Sequence, residues 1–330
     1  MNLWLLLIVW ILAGCSAPAS EPTVSQASAL AAVDASVPVA TAMARMPGGR
    51  TTLANCVHAV PQGGMVDGHG NVYDANKKMM ASYGDCSVHN AAGAGNGSIE
   101  DVTAQAPGGA LTQFTAVDTT WTVPEKPVFQ NDGQAIALWN GLEPAGTAFL
   151  LQPVLIWGYF NGGTNNVIGS YSTWTICPLL SETNGQFYSG PCQAVSPGDK
   201  VEGEMYYDEE YESEELWGVG IRDLTKGTAW QAEYGLYPIY TQWIYAIGAT
   251  LEAYVNAAGD FPAPQCTASN QWSYATVWDQ NEQVVQQPGW NYCVLNKSSN
   301  YTACVLDDNY TGIQCGFFSK LYGNNWYLGF

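Results

Sequence analysis

From residue 113 onward, the chain is a succession of short segments rich in β-branched and aromatic residues. Residues 114–117, 169–176 and 243–255 are examples, and turns that contain Asn, Asp and Gly separate many of these segments. Few segments carry a sustained hydrophobic period of about 3.6 residues, which an amphipathic helix would need. Many short strands joined by tight turns predict an all-β fold made of two packed antiparallel sheets, a β-sandwich.

The composition agrees with this fold class and excludes one class of partner. The chain holds 35 glycines, 13 tryptophans and 19 tyrosines, which is typical of a secreted all-β protein with many turns. Its 29 acidic residues against 10 basic ones give a formal net charge of -19. Such a chain offers no basic surface for phosphates, so no nucleic-acid partner is expected.

The N-terminus predicts export and lipid attachment. An apolar run over residues 3–12 ends in the tetrapeptide Leu-Ala-Gly-Cys at Cys15, which is typical of a bacterial lipoprotein signal peptide. The run is too short to span a bilayer. We expect residues 1–15 to be the signal and lipobox, Cys15 to be acylated, and the protein to be anchored in the bacterial cell envelope, at the outer membrane or cell surface. A plain signal peptide with a chance cysteine is the alternative.

Residues 16–45 are rich in Ala, Ser, Val and Pro, which is typical of a flexible tether.

Eight cysteines remain once Cys15 is set aside, and an even number in an exported chain favours four disulfides. Local pairing of Cys56 with Cys86 and of Cys177 with Cys192 is expected because each pair brackets one turn-rich loop. The connectivity of the last four stays open; these are Cys266, Cys293, Cys304 and Cys315. Neither a metal site nor a cofactor is expected, since the sequence has no CxxC spacing, only three histidines and no phosphate-binding loop.

Three further regions follow the tether. Residues 46–112 are interpreted as a disulfide-closed N-terminal subregion, residues 113–256 as the sandwich, and residues 257–330 as a cysteine-rich β extension of it. The segment 202–215 places eight carboxylates in fourteen positions. We expect these acids to face solvent on a hairpin. A calcium site is the alternative, because carboxylate ligands are dense here, although the ligand order of a known calcium loop is missing.

Residues 134–158 read QAIALWNGLEPAGTAFLLQPVLIWG. The order of a strand, Trp-x-Gly-hydrophobic-acid, a turn, and a hydrophobic run that contains Gln and ends in an aromatic residue resembles the glutamic peptidases of the eqolisin family. This resemblance covers roughly residues 50–256. It implies a two-sheet, concanavalin A-like jelly-roll sandwich and acid endopeptidase activity.

The resemblance also implies roles for individual residues. Gln152 matches the catalytic glutamine, whose amide would stabilise the developing oxyanion, while Glu143 matches an aspartate near the site and Trp139 matches a tryptophan. The catalytic glutamate is missing, because Thr173 occupies its position and Trp174 the position of the tryptophan that follows it. A threonine hydroxyl cannot serve as an unassisted general base.

Glu252 is the candidate replacement, since it interrupts an apolar strand whose alternation places it on one face with Thr250 and Tyr254. A structural glutamate is the competing interpretation. We expect Gln152 to lie in a concave groove, with Glu252 and Thr173 on neighbouring strands, Trp139 at the rim and Trp174 nearby. Three functions stay open: binding of a peptide or polymer ligand without the standard dyad, an endopeptidase that uses Gln152 with Glu252, and a lectin-like module that binds a polysaccharide.

Overall fold

The computed structural model describes residues 43–48, 50–86, 97–109, 111–126, 135–145, 149–159, 168–182, 185–211, 213–239, 241–254, 269–272, 275–285, 290–296, 301–305, 318–322 and 325–329. These residues form 23 β-strands and one short 3-10 helix, Ala54–Cys56. Within these ranges there is no α-helix, and hence no helix long and apolar enough to cross a membrane.

The strands, in chain order, are Met43–Met46 (β1), Arg50–Leu53 (β2), Val57–Ala59 (β3), Gly64–Val66 (β4), Asn71–Tyr73 (β5), Met79–Ser82 (β6), Gly97–Gln105 (β7), Phe114–Thr122 (β8), Ala135–Pro144 (β9), Leu150–Tyr159 (β10), Gly169–Ser181 (β11), Phe187–Ser189 (β12), Gln193–Val195 (β13), Lys200–Tyr211 (β14), Glu214–Asp223 (β15), Gln231–Pro238 (β16), Trp243–Tyr254 (β17), Ser269–Trp272 (β18), Thr276–Asp279 (β19), Asn291–Asn296 (β20), Tyr301–Val305 (β21), Phe318–Tyr322 (β22) and Asn325–Gly329 (β23).

Two large sheets form the sandwich, which confirms the predicted fold class. Sheet I has ten strands in the order β21-β20-β7-β17-β9-β10-β11-β12-β3, with β13 beside β11. Sheet II has eleven strands in the order β22-β23-β18-β8-β14-β15-β16-β4-β5-β6, with β19 beside β8.

The expectation of purely antiparallel sheets is wrong at two positions, because β3 pairs in parallel with β12 and β4 pairs in parallel with β16. Both exceptions are N-terminal strands that join a sheet next to a strand far away in sequence. No tight hairpin therefore fixes their direction, whereas a two-residue hairpin would require antiparallel pairing.

The main core lies between the two sheets and is built by alternation along each strand. In β10, Leu151, Leu155 and Trp157 belong to the two clusters between the sheets, while Val154 and Ile156 belong to a third cluster on the other face. Because both faces of β10 are covered, all of its residues except the last are buried. This explains why the segment reads as a continuous apolar run in the sequence.

The outer face of sheet I is covered by the hairpin of β1 and β2, which pair antiparallel with each other and with no other strand that the structure describes. Ala44 and Met46 of this hairpin are fully buried in one cluster with Trp139, Leu150 and Val154. The hairpin begins at Met43, so it includes the last three residues assigned to the tether.

Both predicted local disulfides are confirmed, with Cys56 bonded to Cys86 and Cys177 bonded to Cys192. Cys293 and Cys304 are directly opposite each other in the backbone register of β20 and β21. Cys15, Cys266 and Cys315 lie outside the described residues.

The acidic segment 202–215 forms most of β14 and the start of β15. Val201, Gly203 and Met205 are buried, and Glu209 and Glu210 near the end of β14 are exposed, as alternation on a half-buried strand predicts. Among the described residues, no group of three or more His, Cys, Asp or Glu side chains could hold a metal ion.

Candidate functional site

The candidate site lies between the outer face of sheet I and the turn of the β1–β2 hairpin. Gln152 on β10 and Glu252 on β17 both point to this face, because each alternates with residues that pack in the core between the sheets. Both side chains are fully buried. The expected concave groove is covered in this structure, since Pro47 and Gly48 of the chain itself lie on both side chains.

The two side chains contact the same peptide bond, the one that joins Pro47 to Gly48. Gln152 donates a hydrogen bond from Nε2 to the Pro47 carbonyl oxygen at 3.3 Å. Glu252 accepts a hydrogen bond at Oε1 from the Gly48 N–H at 2.9 Å. An amide donor is thus on the carbonyl end of the bond and a carboxyl oxygen on its nitrogen end.

Gly48 is required by the geometry of this turn. Its φ is +86°, a conformation that only glycine adopts without strain. A Cβ atom on this residue would lie 2.6 Å from Leu150 Cδ2 and 3.8 Å from Gln152 Oε1. The backbone can approach Gln152 and Glu252 closely because no side chain separates them.

The carbonyl oxygen of the Gln152 side chain, Oε1, is buried and has no hydrogen-bond partner among the described residues. An unmade hydrogen bond at a buried polar atom costs about 1–3 kcal/mol. The amide of Gln152 thus has an unused hydrogen-bond acceptor beneath the turn.

Arg50 lies two residues after Gly48 and binds beside this peptide bond. Its Nη2 atom is 3.3 Å from Glu143 Oε1, and its Nη1 atom donates a hydrogen bond to Ser181 Oγ. Burial raises the pKa of Glu143, and the Arg50 charge counteracts this rise. Burial likewise lowers the pKa of Arg50, opposed by the negative charges of Glu143 and Glu252.

Three other residues implied by the family resemblance have different surroundings from those expected. Trp139 was expected at a rim, but it is buried under the hairpin with Val154 and Met46. Trp174 packs between the sheets against Trp157, with ring centroids 5.6 Å apart, because it falls on the inward-facing side of β11. Thr173 shares the outer face, but its hydroxyl donates to the Val195 carbonyl at 2.9 Å on β13.

The strand order also corrects the expected neighbourhood of Gln152. β17, which carries Glu252, is separated from β10 by β9, whereas β11 with Thr173 is the direct neighbour. Glu252 nevertheless reaches the site because its side chain lies under the turn that Gln152 contacts from the other side. Glu143 was expected near the site and does lie beside it, through its contact with Arg50.

The described surface has few aromatic side chains on which a sugar could stack. The exposed large hydrophobic residues are Met79, Met80, Tyr159, Leu224, Ile239 and Val284, of which only Tyr159 is aromatic. Five of the tryptophans are fully buried, namely Trp121, Trp157, Trp174, Trp217 and Trp243. Most of the tryptophans whose burial the structure describes therefore build the core.

A second group of buried ionisable residues, which the sequence did not suggest, lies between the sheets. Glu182 is 3% exposed, and Glu233, Tyr188 and Tyr237 are fully buried. The Tyr188 hydroxyl has no hydrogen-bond partner among the described residues, whereas the Tyr237 hydroxyl interacts with Glu182 and the Gly190 N–H with Glu233. Burial raises the pKa of Glu182 and of Glu233 well above the usual value, and each carboxylate disfavours ionisation of nearby groups.

Pro47, Gly48 and Arg50 are the site residues that sequence reasoning missed. The signal was available in the dipeptide Pro-Gly between two short apolar segments, which is a common turn sequence. Nothing in the sequence indicated that this turn would lie on Gln152.

Among solved structures, glutamic peptidases match this chain at low sequence identity. A crystal structure of scytalido-glutamic peptidase with a peptide-based transition state analogue is 12% identical, covers 72% of this chain and 99% of its own, and has a TM-score of 0.41. Another, with a transition state analogue inhibitor, is 11% identical with the same coverage and a TM-score of 0.42. SCP-B, a member of the eqolisin family in complex with the tripeptide Ala-Ile-His, is 12% identical over 72% and 99% of the two chains, with a TM-score of 0.38. No protein-family model and no curated protein matches the sequence.

Proposed function

We propose that this chain is a peptide-bond hydrolase of the glutamic type in which Gln152 and Glu252 are the catalytic pair. The observation that carries this proposal is the convergence of an amide donor and a carboxyl oxygen on the two ends of one peptide bond. The Pro47–Gly48 bond then occupies the position of the bond to be cleaved.

The chemistry needs only these two side chains and water. Glu252 takes a proton from a water molecule that attacks the Pro47 carbonyl carbon, and the negative charge that develops on the carbonyl oxygen is stabilised by the Gln152 amide. The carbon–nitrogen bond breaks as Glu252 passes the proton to the Gly48 nitrogen, to which its Oε1 is already within hydrogen-bonding distance at 2.9 Å. The products are a carboxyl group on Pro47 and an amino group on Gly48.

A second candidate function is retention of a peptide segment without cleavage. It is favoured by the complete burial of Gln152 and Glu252 under the turn, which leaves the attacking water no open approach while the hairpin is in place. In this alternative the site binds its own hairpin, or an external peptide of similar shape that replaces it, and Thr173 in place of the family glutamate is consistent with lost catalysis.

Incubation of the full-length protein between about pH 3 and pH 7 separates the two candidates, since general acid–base catalysis by a carboxyl group depends on its protonation. A hydrolase produces a fragment whose N-terminal residue is Gly48, identified by N-terminal sequencing and intact mass. Glu252→Gln should abolish the fragment, and Gln152→Ala should slow its formation by about 100-fold or more. Glu125→Gln and Gln105→Ala change the same residue types at exposed positions and serve as matched controls.

An intact chain at every pH, together with displacement of the hairpin by an added peptide of sequence 44–53, would instead support retention without cleavage. Displacement is followed by the exchange of the Gly48 amide hydrogen, which the bond to Glu252 protects. If the fragment forms equally fast in Glu252→Gln, the assigned catalytic pair is wrong.

We also propose that the protein acts at the bacterial cell envelope, held to a membrane through acylated Cys15. The support is the sequence Leu-Ala-Gly-Cys after the apolar run of residues 3–12. Cys15→Ser should move the protein from the membrane fraction to the soluble extracytoplasmic fraction. Unchanged partition into detergent would contradict the anchor.

A further inference from the structure

Arg50 marks a third position of the bound segment. If Pro47 supplies the carbonyl and Gly48 the nitrogen of the bond held by Gln152 and Glu252, Arg50 is the third residue on the nitrogen side. Its guanidinium contacts Glu143 on β9 at 3.3 Å and donates to Ser181 at the end of β11. The peptide bond and the arginine are thus held by side chains of four strands of sheet I, namely β9, β10, β11 and β17.

We propose that Glu143 and Ser181 form a specificity subsite for a basic side chain, and that the peptides accepted at this site carry glycine after the bound carbonyl and arginine two residues later. This inference rests on the proposed function only in taking the Pro47–Gly48 bond as the reference from which positions are counted. The subsite itself is defined by the contacts of Arg50.

Charge supports a cationic occupant. The chain has 10 basic residues against 29 acidic ones, yet one of its few arginines is placed against Glu143 and Ser181 of sheet I. When Arg50 is absent, this region keeps the carboxyl groups of Glu143 and Glu252, both of which favour the charged form of Arg50. Removing the cation leaves a half-buried carboxylate uncompensated, so a peptide that brings its own cation is favoured over a neutral one.

The geometry favours arginine over lysine. Two different nitrogen atoms of the guanidinium contact two acceptors on different strands, Glu143 Oε1 and Ser181 Oγ. A planar guanidinium presents several N–H groups in a fixed arrangement, whereas the ammonium of lysine is one compact charge. Lysine should therefore keep the contact with Glu143 but make a poorer contact with Ser181.

The residue two positions before the basic one is constrained too. Leu150 Cδ2 would lie 2.6 Å from a Cβ atom on the residue at position 48, whose φ is +86°. A side chain at this position requires both a strained backbone and movement of Leu150. Glycine is thus the residue that the face formed by Leu150 and Gln152 admits after the bound carbonyl.

The test uses full-length protein and two readouts, formation of the fragment that begins at Gly48 and exchange of the Gly48 amide hydrogen. Arg50→Gln and Glu143→Gln should each slow formation of the fragment by about tenfold. If the wild type forms no fragment, each should instead accelerate exchange of the Gly48 amide hydrogen by about tenfold. Arg50→Lys should recover part of the loss, which a loss of packing alone would not explain. Glu125→Gln at an exposed position is the control for removal of one negative charge.

Labelled peptides added in trans test the same subsite without the chain's own arginine. Peptides with the sequence Met-Pro-Gly-Gly-X-Thr-Thr, with Arg, Lys, Gln or Glu at X, are added to Arg50→Gln protein, and binding and cleavage are measured separately. The expected order is Arg, Lys, Gln, Glu, and Glu143→Gln in the same background should abolish the preference. Binding with this order but without cleavage would refute the hydrolase and keep the subsite. Equal binding of all four peptides would overturn the subsite. It would also be overturned if no peptide bound and Arg50→Gln and Glu143→Gln both kept the wild-type rates of fragment formation and Gly48 exchange.

Discussion

Gln152 and Glu252 are on strands separated by β9, and they meet through a single peptide bond that neither strand supplies. The bond belongs to the hairpin turn at Pro47 and Gly48, so the arrangement of the two side chains depends on a segment that packs against the sheet from outside. Any event that removes the hairpin exposes both groups at once. Substitutions in the turn should therefore act on the site as strongly as substitutions in the sheet.

Gly48→Ala should destabilise the hairpin by more than the backbone strain alone. An L residue in the left-handed region costs about 1–2 kcal/mol, and the close approach to Leu150 Cδ2 adds a packing term of about 1 kcal/mol or more. Urea denaturation and exchange of the hairpin amide hydrogens measure the two effects. Gly198→Ala is the matched control, because Gly198 has the same φ of +86° with no atom within 4 Å of a Cβ. Equal losses in the two variants would show that Leu150 does not restrict position 48.

Thr173→Ala should leave the site unaffected, although the family resemblance places Thr173 at the catalytic glutamate position. Its hydroxyl bonds to the Val195 carbonyl, so the expected loss is about 1 kcal/mol of unfolding free energy, typical of one hydrogen bond. Fragment formation and Gly48 exchange should match the wild type, in contrast to Gln152→Ala. A change in either readout would place Thr173 in the site after all.

Much of the fold follows from sequence pattern. The turn-separated segments correctly predict most strands from β8 to β17, and β10 is recognisable because both of its faces are apolar. The boundaries are less accurate. The structure continues β9 to Pro144 and β11 to Ser181, since pairing with neighbouring strands extends each strand past the point where its own residues favour one.

The site was predictable only in part. Alternation correctly places Glu252 on one face of a strand, and the family resemblance selects Gln152. The partner of both residues could not be predicted, because Pro47 and Gly48 reach them through tertiary packing of a hairpin that lies far away in sequence. The same packing turns Trp139 from an expected rim residue into a core residue.

The remaining cysteines should complete the disulfide set. Cys293 and Cys304 are direct cross-strand partners in β20 and β21, a spacing that a disulfide can bridge. We therefore expect this pair to be bonded, and Cys266 with Cys315 to complete the set. Peptide mapping of the unreduced protein identifies the pairs. Detection of two or more free thiols would refute the prediction.

The last prediction concerns Glu182 and Glu233, the buried carboxyl groups between the sheets. Burial is the main cause that raises the pKa of each, and the negative charge of Glu182 adds to the rise for Glu233. In the unfolded chain both titrate near the usual value for glutamate. The neutral forms fit the folded protein, so the stabilising contribution is fully present at acid pH, below the unfolded pKa. This contribution decreases as the pH rises above the unfolded pKa, and it is lost once the pH passes the raised pKa of the folded state.

Stability measured by urea denaturation should accordingly fall as the pH rises above about 4, with a slope of at most about 1.4 kcal/mol per pH unit for each group that titrates. Glu182→Gln and Glu233→Gln keep the shape of the neutral acid and cannot ionise, so each should flatten this dependence and raise stability at neutral pH. Other carboxyl groups contribute in either direction, and Glu125→Gln at an exposed position accounts for removal of one charge from an acidic chain. The electrostatic assignment fails if both buried variants keep the wild-type slope, because the ionisation of these two groups would then not be coupled to folding.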